Sequence, residues 1–304
     1  MKILCAGDQH WTTTKPKNRT DDYYKTVLDK LQQECEIAEE YFCKAIIFPG
    51  DLFDSFKENH AITQDIINLF KDAHIQIFCV AGQHDQKFHN NDLRGTALGT
   101  LIAAGVVTLL SRSPYFIDSV ALYGASWKEE IPEITVPNQV NILVTHRMIV
   151  DEKLWAQQEG HAWANHLLIK NKFDLIVSGD NHKRFSASKG SQHLINCGAM
   201  LRSSIAQVEH KPAVAVYDTC KNSFEWVELV IKPIDEVMCI EKAEKEKEKN
   251  KQLESFVLSL KDAEFGPHGE VRIKLDFVDA LTKYIEANEV PDDVADIIYE
   301  LLEK

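Results

Sequence analysis

Five short segments set an acid, an amide or an imidazole directly after a small residue: Gly7-Asp8-Gln9-His10, Gly50-Asp51-Leu52-Phe53-Asp54, Gly82-Gln83-His84-Asp85, Thr145-His146 and Gly179-Asp180-Asn181-His182. Carboxylate and amide oxygens and neutral imidazole nitrogens are the donors that divalent cations take. Each segment alone is weak, because Asp-x-His occurs by chance and Gly-Asp after a strand is commonly a turn. A lone His146 reads as a hydrogen-bonded, partly buried histidine. Five such loops in one chain order, each after an apolar run, outweigh the single readings. His60, His74, His89, His161, His166, His193, His210 and His268 lack that setting and read as surface or structural. Arg147, Arg184 and Arg202 lie beside the loops, as candidates for phosphate oxygens or as ordinary surface arginines.

The loops need a scaffold that brings them to one place. Apolar runs at 2–6, 44–48 and 75–81 alternate with segments at 21–42 and 58–73 whose apolar residues recur at helical spacing, as in Ile62, Ile66, Ile67, Leu69 and Phe70. Strand, loop and helix in repetition predict buried parallel strands with helices on the faces. In open α/β sheets, ligands bind beyond the carboxyl ends of the strands, so these loops are expected to converge. After residue 106 the apolar runs come closer together, at 106–110, 115–123 with a turn near Asp118, 140–144, 173–178, 193–197, 213–218 and 224–231. That spacing predicts a second, mixed or antiparallel sheet. The charged run at 241–251 reads as an exposed helix. A small α/β appendage is expected beyond it, with a strand at 270–277 and helices near 278–288 and 292–303. Val294, Ile297, Ile298, Leu301 and Leu302 make one apolar stripe there, for its own domain or for a partner.

The bulk properties narrow the class. At 304 residues the chain exceeds what one core usually serves, so a large domain and an appendage are expected. Hydrophobic content of 44% and charged content of 27% describe a globular protein, with no run long enough for a membrane helix and no signal-like N-terminus. The seven cysteines (Cys5, Cys35, Cys43, Cys79, Cys197, Cys220, Cys239) are scattered and form no Cys-x-x-Cys pair, the pattern of reduced thiols in the cytoplasm, or in a host cytoplasm were the chain phage-encoded. The net charge of −13 argues against a wholly basic surface for nucleic acid, without excluding a phosphate substrate.

In order, the five segments resemble the signature of calcineurin-like metallophosphoesterases: Asp-x-His, Gly-Asp-x-x-Asp, Gly-Asn-His-Asp/Glu, Thr-His and Gly-His-x-His. The resemblance runs from residue 3 to about 218. Within that superfamily the chain is most similar to SbcD-type nuclease subunits of repair and recombination complexes, phage versions included. It shares Gly-Asp-Leu-Phe-Asp at 50–54, and Asn196-Cys197-Gly198-Ala199-Met200-Leu201-Arg202 where those nucleases have Asn-Pro-Gly-Ser and a following arginine. The resemblance implies an α/β/β/α four-layer sandwich of two mixed sheets over 1–232, with a small C-terminal α/β cap or partner-docking region over 233–304.

It also implies two divalent cations, Mn²⁺ or otherwise Mg²⁺, that activate a hydroxide against a phosphodiester. Asp8, His10, Asp51 and His182 would hold one ion; Asp51 as a bridge, Gln83, His146 and Asp180 would hold the other. His84 would be the general acid and Asp54 its orienting partner. The sequence departs from the family at Gln83, usually Asn, and at Asp180, usually His, which makes the second site oxygen-rich. Implied partners are DNA as substrate and an SMC-like ATPase subunit, with a homodimer left open. A small-molecule phosphodiesterase or phosphatase, and a noncatalytic module on the same fold, are the rival readings.

Overall fold

A computed structural model of the protein describes residues 1–153, 160–204 and 207–239. The first apolar runs form β1 (Lys2–Cys5), β2 (Cys43–Phe48), β3 (Gln76–Cys79) and β4 (Thr108–Leu109), adjacent and parallel. Helices α1 (Tyr23–Glu40) and α2 (His60–Ala73) make the first two crossovers, and α3 (Ala97–Ala103) precedes β4. Local chemistry starts both long helices where the periodicity places them. The Asp22 carboxylate caps α1 by accepting from the Lys25 amide, and the Asn59 side chain caps α2 by accepting from the Ala61 amide. On α2, Ile62, Ile66 and Phe70 form the buried stripe.

The second sheet contains β5 (Tyr115–Ile117), β6 (Val120–Ala125) and β7 (Val140–His146). A small pair, β8 (Ile149–Val150) and β9 (Ala162–Trp163), leads into helix α4 (Ala164–Lys170). Strands β10 (Leu175–Gly179), β11 (Phe185–Lys189) and β12 (Gln192–Asn196) complete the sheet in the order β11-β12-β10-β7-β6-β5. Asp118, at φ 49°, makes the expected turn between β5 and β6. The last strands, β13 (Ala213–Asp218) and β14 (Ser223–Glu228), leave this sheet. β13 pairs antiparallel with β1, so the first sheet runs β14-β13-β1-β2-β3-β4.

Both sheets are mixed, and they stack. Ile142 and Val144 of β7, with Leu175 and Val177 of β10, share a core with Ile3, Leu4 and Ile46 of the first sheet. The alternating residues Leu143 and Ile176 face Leu167 and Leu168 of α4 on the other side. Period-two alternation with both faces buried gives the α/β/β/α sandwich. Three runs expected in the second sheet belong to the first: β4 beside β3, and the two strands of the β13–β14 hairpin beside β1. The seven-residue α3 is the crossover that the spacing did not reveal. Which sheet a buried strand joins is a choice between equally apolar neighbours, which a one-dimensional pattern does not encode.

After β14, helix α5 (Ile234–Val237) returns to the N-terminal loop, where the Thr20 amide donates to Val237 O at 3.0 Å and the Cys239 amide to Asn18 O at 3.0 Å. One compact unit therefore runs from Met1 to Cys239, past the expected limit at 232. The expected helix at 241–251, the strand at 270–277, the last two helices and the apolar stripe from Val294 lie outside the described residues. No described helix is long and apolar enough to cross a membrane.

Beneath the loop after β1 lies a buried polar chain. Gln9 Nε2 donates to Gly7 O at 3.1 Å and to Glu34 Oε1 of α1 at 3.0 Å, while Gln9 Oε1 accepts from Trp11 Nε1 at 3.1 Å. Burial pushes the Glu34 carboxyl up from an ordinary 4.5 to about 8. A folded-state pKa above the unfolded one stabilises fully below about pH 4.5, and that contribution is lost as pH rises through about 8. Glu34→Gln, which keeps an acceptor for Gln9, should match the wild type in urea unfolding near pH 5 and be the more stable protein near pH 9. An unchanged stability difference between the two pH values would show that Glu34 is not buried in its neutral form.

Candidate metal centre

The loops after β1, β2 and β3 of one sheet and β7 and β10 of the other meet at the carboxyl ends of their strands. Backbone bonds knit them together: the Gln9 and His10 amides donate to Asp51 O, Asp8 N–H donates to Gly198 O, and Asp180 N–H donates to Asp8 Oδ2 at 2.9 Å. The approach is so close that only glycine fits at two positions. A Cβ on Gly82 would lie 2.0 Å from Asp51 Oδ1, and one on Gly179 would lie 2.3 Å from Asp8 Oδ1. His10, Asp51 and Asp180 themselves take left-handed backbone, at φ 47°, 46° and 76°. Such strain at non-glycine residues persists only where the surroundings over-determine it.

Asp51 sits at the middle. Its Oδ1 accepts the His84 amide at 2.9 Å, and its Oδ2 faces His146 Nε2 at 3.3 Å and the Nε2 atoms of His10 and His84, each at 3.9 Å. His10 and His182 bring their Nε2 atoms within 3.1 Å of each other, and His182 Nε2 lies 3.6 Å from Asp8 Oδ2. His146 Nδ1 lies 2.8 Å from Pro49 O; a carbonyl only accepts, so Nδ1 carries the hydrogen and Nε2 is the ligating atom. Asp8 Oδ1, Asp51 Oδ2, Gln83 Oε1 and His146 Nε2 are buried without any hydrogen-bond partner. Buried polar atoms are ordinarily paired, and four such orphans on the converging loops, all donors to cations, fit a metal centre. Asp8, His10 and His182 bring ligand atoms within 4.8 Å of one another.

Charge in the site is divided unevenly. Burial pushes the Asp8 carboxyl up to about 7, against the pull of His146. Burial also disfavours charge on Asp51, but His146 and His10 outweigh it and hold that carboxyl down at about 2. Burial opposes charge on His146, yet Asp51 and Asp8 raise it to about 10. Burial and the neighbouring His10 push His182 down to about 4, leaving it neutral and ready to donate a lone pair.

Residues 1–184 match the model of the calcineurin-like phosphoesterase family. The chain belongs to that family. The DNA double-strand break repair protein Mre11 of Sulfolobus acidocaldarius is 25% identical to it over 201 residues, covering 60% of this chain and 50% of that protein. The chain thus spans about half the length of the curated relative it matches. Among solved structures, TT1561 of Thermus thermophilus is 14% identical over 75% of this chain and 98% of that one, with a TM-score of 0.48. An archaeal phosphodiesterase is 16% identical over 75% of this chain and all of its own, with a TM-score of 0.43.

All seven expected ligand residues of this phosphoesterase come to the site, including the two that depart from the family pattern. Gln83 Nε2 donates to Asp180 Oδ1 at 3.1 Å, so the two unusual side chains are joined, and Gln83 Oε1 stays buried without a hydrogen-bond partner. His84 is 41% exposed beside a cavity of about 340 Å³ lined also by Asp8, His10, Asp54 and His182. The expected dyad is differently built. His84 Nδ1 lies 2.7 Å from the backbone oxygen of Asp54, whereas the Asp54 carboxylate stands 3.5 Å from His10 Nδ1. That imidazole holds the Asp54 carboxyl below its usual range.

The three candidate arginines are engaged elsewhere, and none lines that cavity. Arg147 donates to Glu129 O, Arg184 lies over Trp226 and near Glu228, and Arg202 donates to Lys232 O. Lying next to a site loop in sequence does not fix where a long side chain ends, and each guanidinium has found an acceptor on its own side of the fold.

Two positioning residues escaped the sequence reading. Asp85, fully buried and pushed up to about 6 by burial, accepts from the amides of Gly82 at 2.9 Å and Phe53 at 3.1 Å, tying the β2 and β3 loops together. Asn196 donates to Asn181 O at 2.6 Å and Lys183 O at 2.8 Å, fixing the loop that carries Asp180 and His182. An acid immediately after the His84 motif was the available signal for Asp85. Asp51 and Asp8 favour the protonated form of His146, so a cation at Nε2 has to compete with a proton. Mn²⁺ binding should therefore release protons and tighten from about pH 6 to about pH 8. Titration calorimetry in buffers of different ionisation enthalpy measures this, and a buffer-independent heat would contradict it.

Proposed function

We propose that the protein hydrolyses phosphodiester bonds in DNA, as a nuclease of SbcD type that uses two divalent cations, Mn²⁺ foremost. The observation that carries the reading is the orphaned set Asp8 Oδ1, Asp51 Oδ2, Gln83 Oε1 and His146 Nε2 on the converging loops, with His84 beside Asp51 and lining a cavity. Asp8, His10, Asp51 and His182 would hold one cation, and Asp51, Gln83, His146 and Asp180 the other. Bound there, the cations would offset phosphate charge and make water nucleophilic at neutral pH. The similarity to a relative named for DNA double-strand break repair favours DNA over a small ester.

The chain's own residues supply orientation and the proton. The Asp54 carbonyl accepts from His84 Nδ1, which fixes the ring and leaves Nε2 on the Asp51 side to deliver a proton to the departing oxygen. Asp54 also steadies His10 through its carboxylate. Asp180 and Gln83 act as a fitted pair, the longer amide reaching where the shorter acid does not.

His84→Ala should lower turnover of labelled DNA by about 10²–10⁴-fold and leave Mn²⁺ stoichiometry unchanged. Normal turnover would remove His84 from the mechanism, and activity on a chromogenic phosphodiester but not on DNA would support the small-molecule reading. Asp180→His alone should reduce activity, because the longer ring displaces the Gln83 amide. Pairing it with Gln83→Asn should recover part of the rate, as expected of ligands that share one ion. An oxygen-rich second site further predicts faster turnover with Mn²⁺ than with Zn²⁺. Calorimetry and phosphodiester assays on the four proteins decide these points; a wild type that binds one Mn²⁺ and is inactive would mean a degraded site.

A further inference from the structure

The two loops pinned together at Asp54 O and His84 Nδ1 continue outward into aromatic side chains. Phe56, two residues after Asp54, pairs with Phe88, four after His84, at 5.9 Å between ring centroids. His89, read from sequence as a surface residue, stacks on Trp127 at 4.6 Å with 40° between planes. Trp127 in turn is tied to the start of the His84 loop, its amide donating to Ala81 O at 2.9 Å. Each ring pair carries a cation: Lys87 Nζ is 5.7 Å from the Phe88 centroid and Lys128 Nζ is 4.0 Å from that of Trp127.

Phe88 is 81% exposed, and both it and His89 take left-handed backbone at φ 51° and 59°. Two successive non-glycine residues in that region cost free energy, and the turn buries little of Phe88 to offset it. Exposure alone is not the argument. Phe42 is 86% exposed as well, but it precedes β2, at the end of the sheet away from the site, and among the described residues it has no ring or lysine contact. What sets Phe88 apart is a neighbouring ring, a cation and a place on the two loops that the Asp54–His84 hydrogen bond joins.

Aromatic rings interleaved with lysines are how proteins hold single-stranded nucleic acid, bases stacking on rings and phosphates meeting cations. We propose that Phe56, Phe88, His89 and Trp127, with Lys87 and Lys128, form a subsite for the nucleoside on the leaving side of the scissile phosphate. Its ligand is single-stranded DNA, and the side is assigned because His84 stands there. The subsite rests on the nuclease reading for its orientation and on the ring geometry for its existence.

The test is fluorescence anisotropy and cleavage on labelled oligothymidylate and on an abasic strand of the same length, using the full-length protein with and without Mn²⁺. Phe88→Ala should weaken binding of oligothymidylate about tenfold and leave the abasic strand unchanged. Phe88→Trp should restore it, and Phe42→Ala should have no effect. Equal affinities for wild type and Phe88→Ala, or an equal loss on both strands, would overturn the subsite even where the strand is cleaved. Base-dependent binding without cleavage would uphold the subsite and overturn the nuclease reading. Binding to neither strand would overturn both.

Discussion

Asp51 is buried at the point where two sheets bring their loops together, and its carboxylate stays charged among three imidazoles. A buried charge without compensation is too costly for a fold to keep, so everything around it has to supply positive charge at close range. His146 lies nearest, its charged form favoured by Asp51 and Asp8 and its Nδ1–H held by the Pro49 carbonyl. The glycines at 82 and 179 are the steric side of the same requirement, since any Cβ there would fall onto a carboxylate oxygen.

Around this centre the loops are rigid through backbone hydrogen bonds more than through packing. Asp85 and Asn196 each spend their polar atoms on main-chain groups of neighbouring loops, so the ligand set is built on fixed amides and carbonyls. Gln83 and Asp180, the two positions where the sequence departs from the pattern it resembles, hydrogen-bond to each other.

The surface beside His84 differs in character from the centre. The centre is rich in carboxylates and imidazoles, while the loop that continues from His84 carries Lys87, Phe88 and His89 through a left-handed turn. A net charge of −13 gives the chain no general attraction for a polyanion.

The sequence by itself determined which loops carry the candidate ligands, the long helices α1 and α2 and most strands, because these follow from residue type, capping chemistry and the period of apolar side chains. Five Gly- or Thr-led loops after apolar strands sufficed to place the site at the carboxyl ends of the sheets. Tertiary structure alone decided that β4 and the β13–β14 hairpin join the first sheet, since buried strands offer equal apolar faces to either neighbour. It also decided that the Asp54 carboxylate serves His10 while its carbonyl serves His84, and that the three arginines point elsewhere. Side-chain reach exceeds the spacing between neighbouring loops, so proximity along the chain does not choose the partner; the packed backbone does.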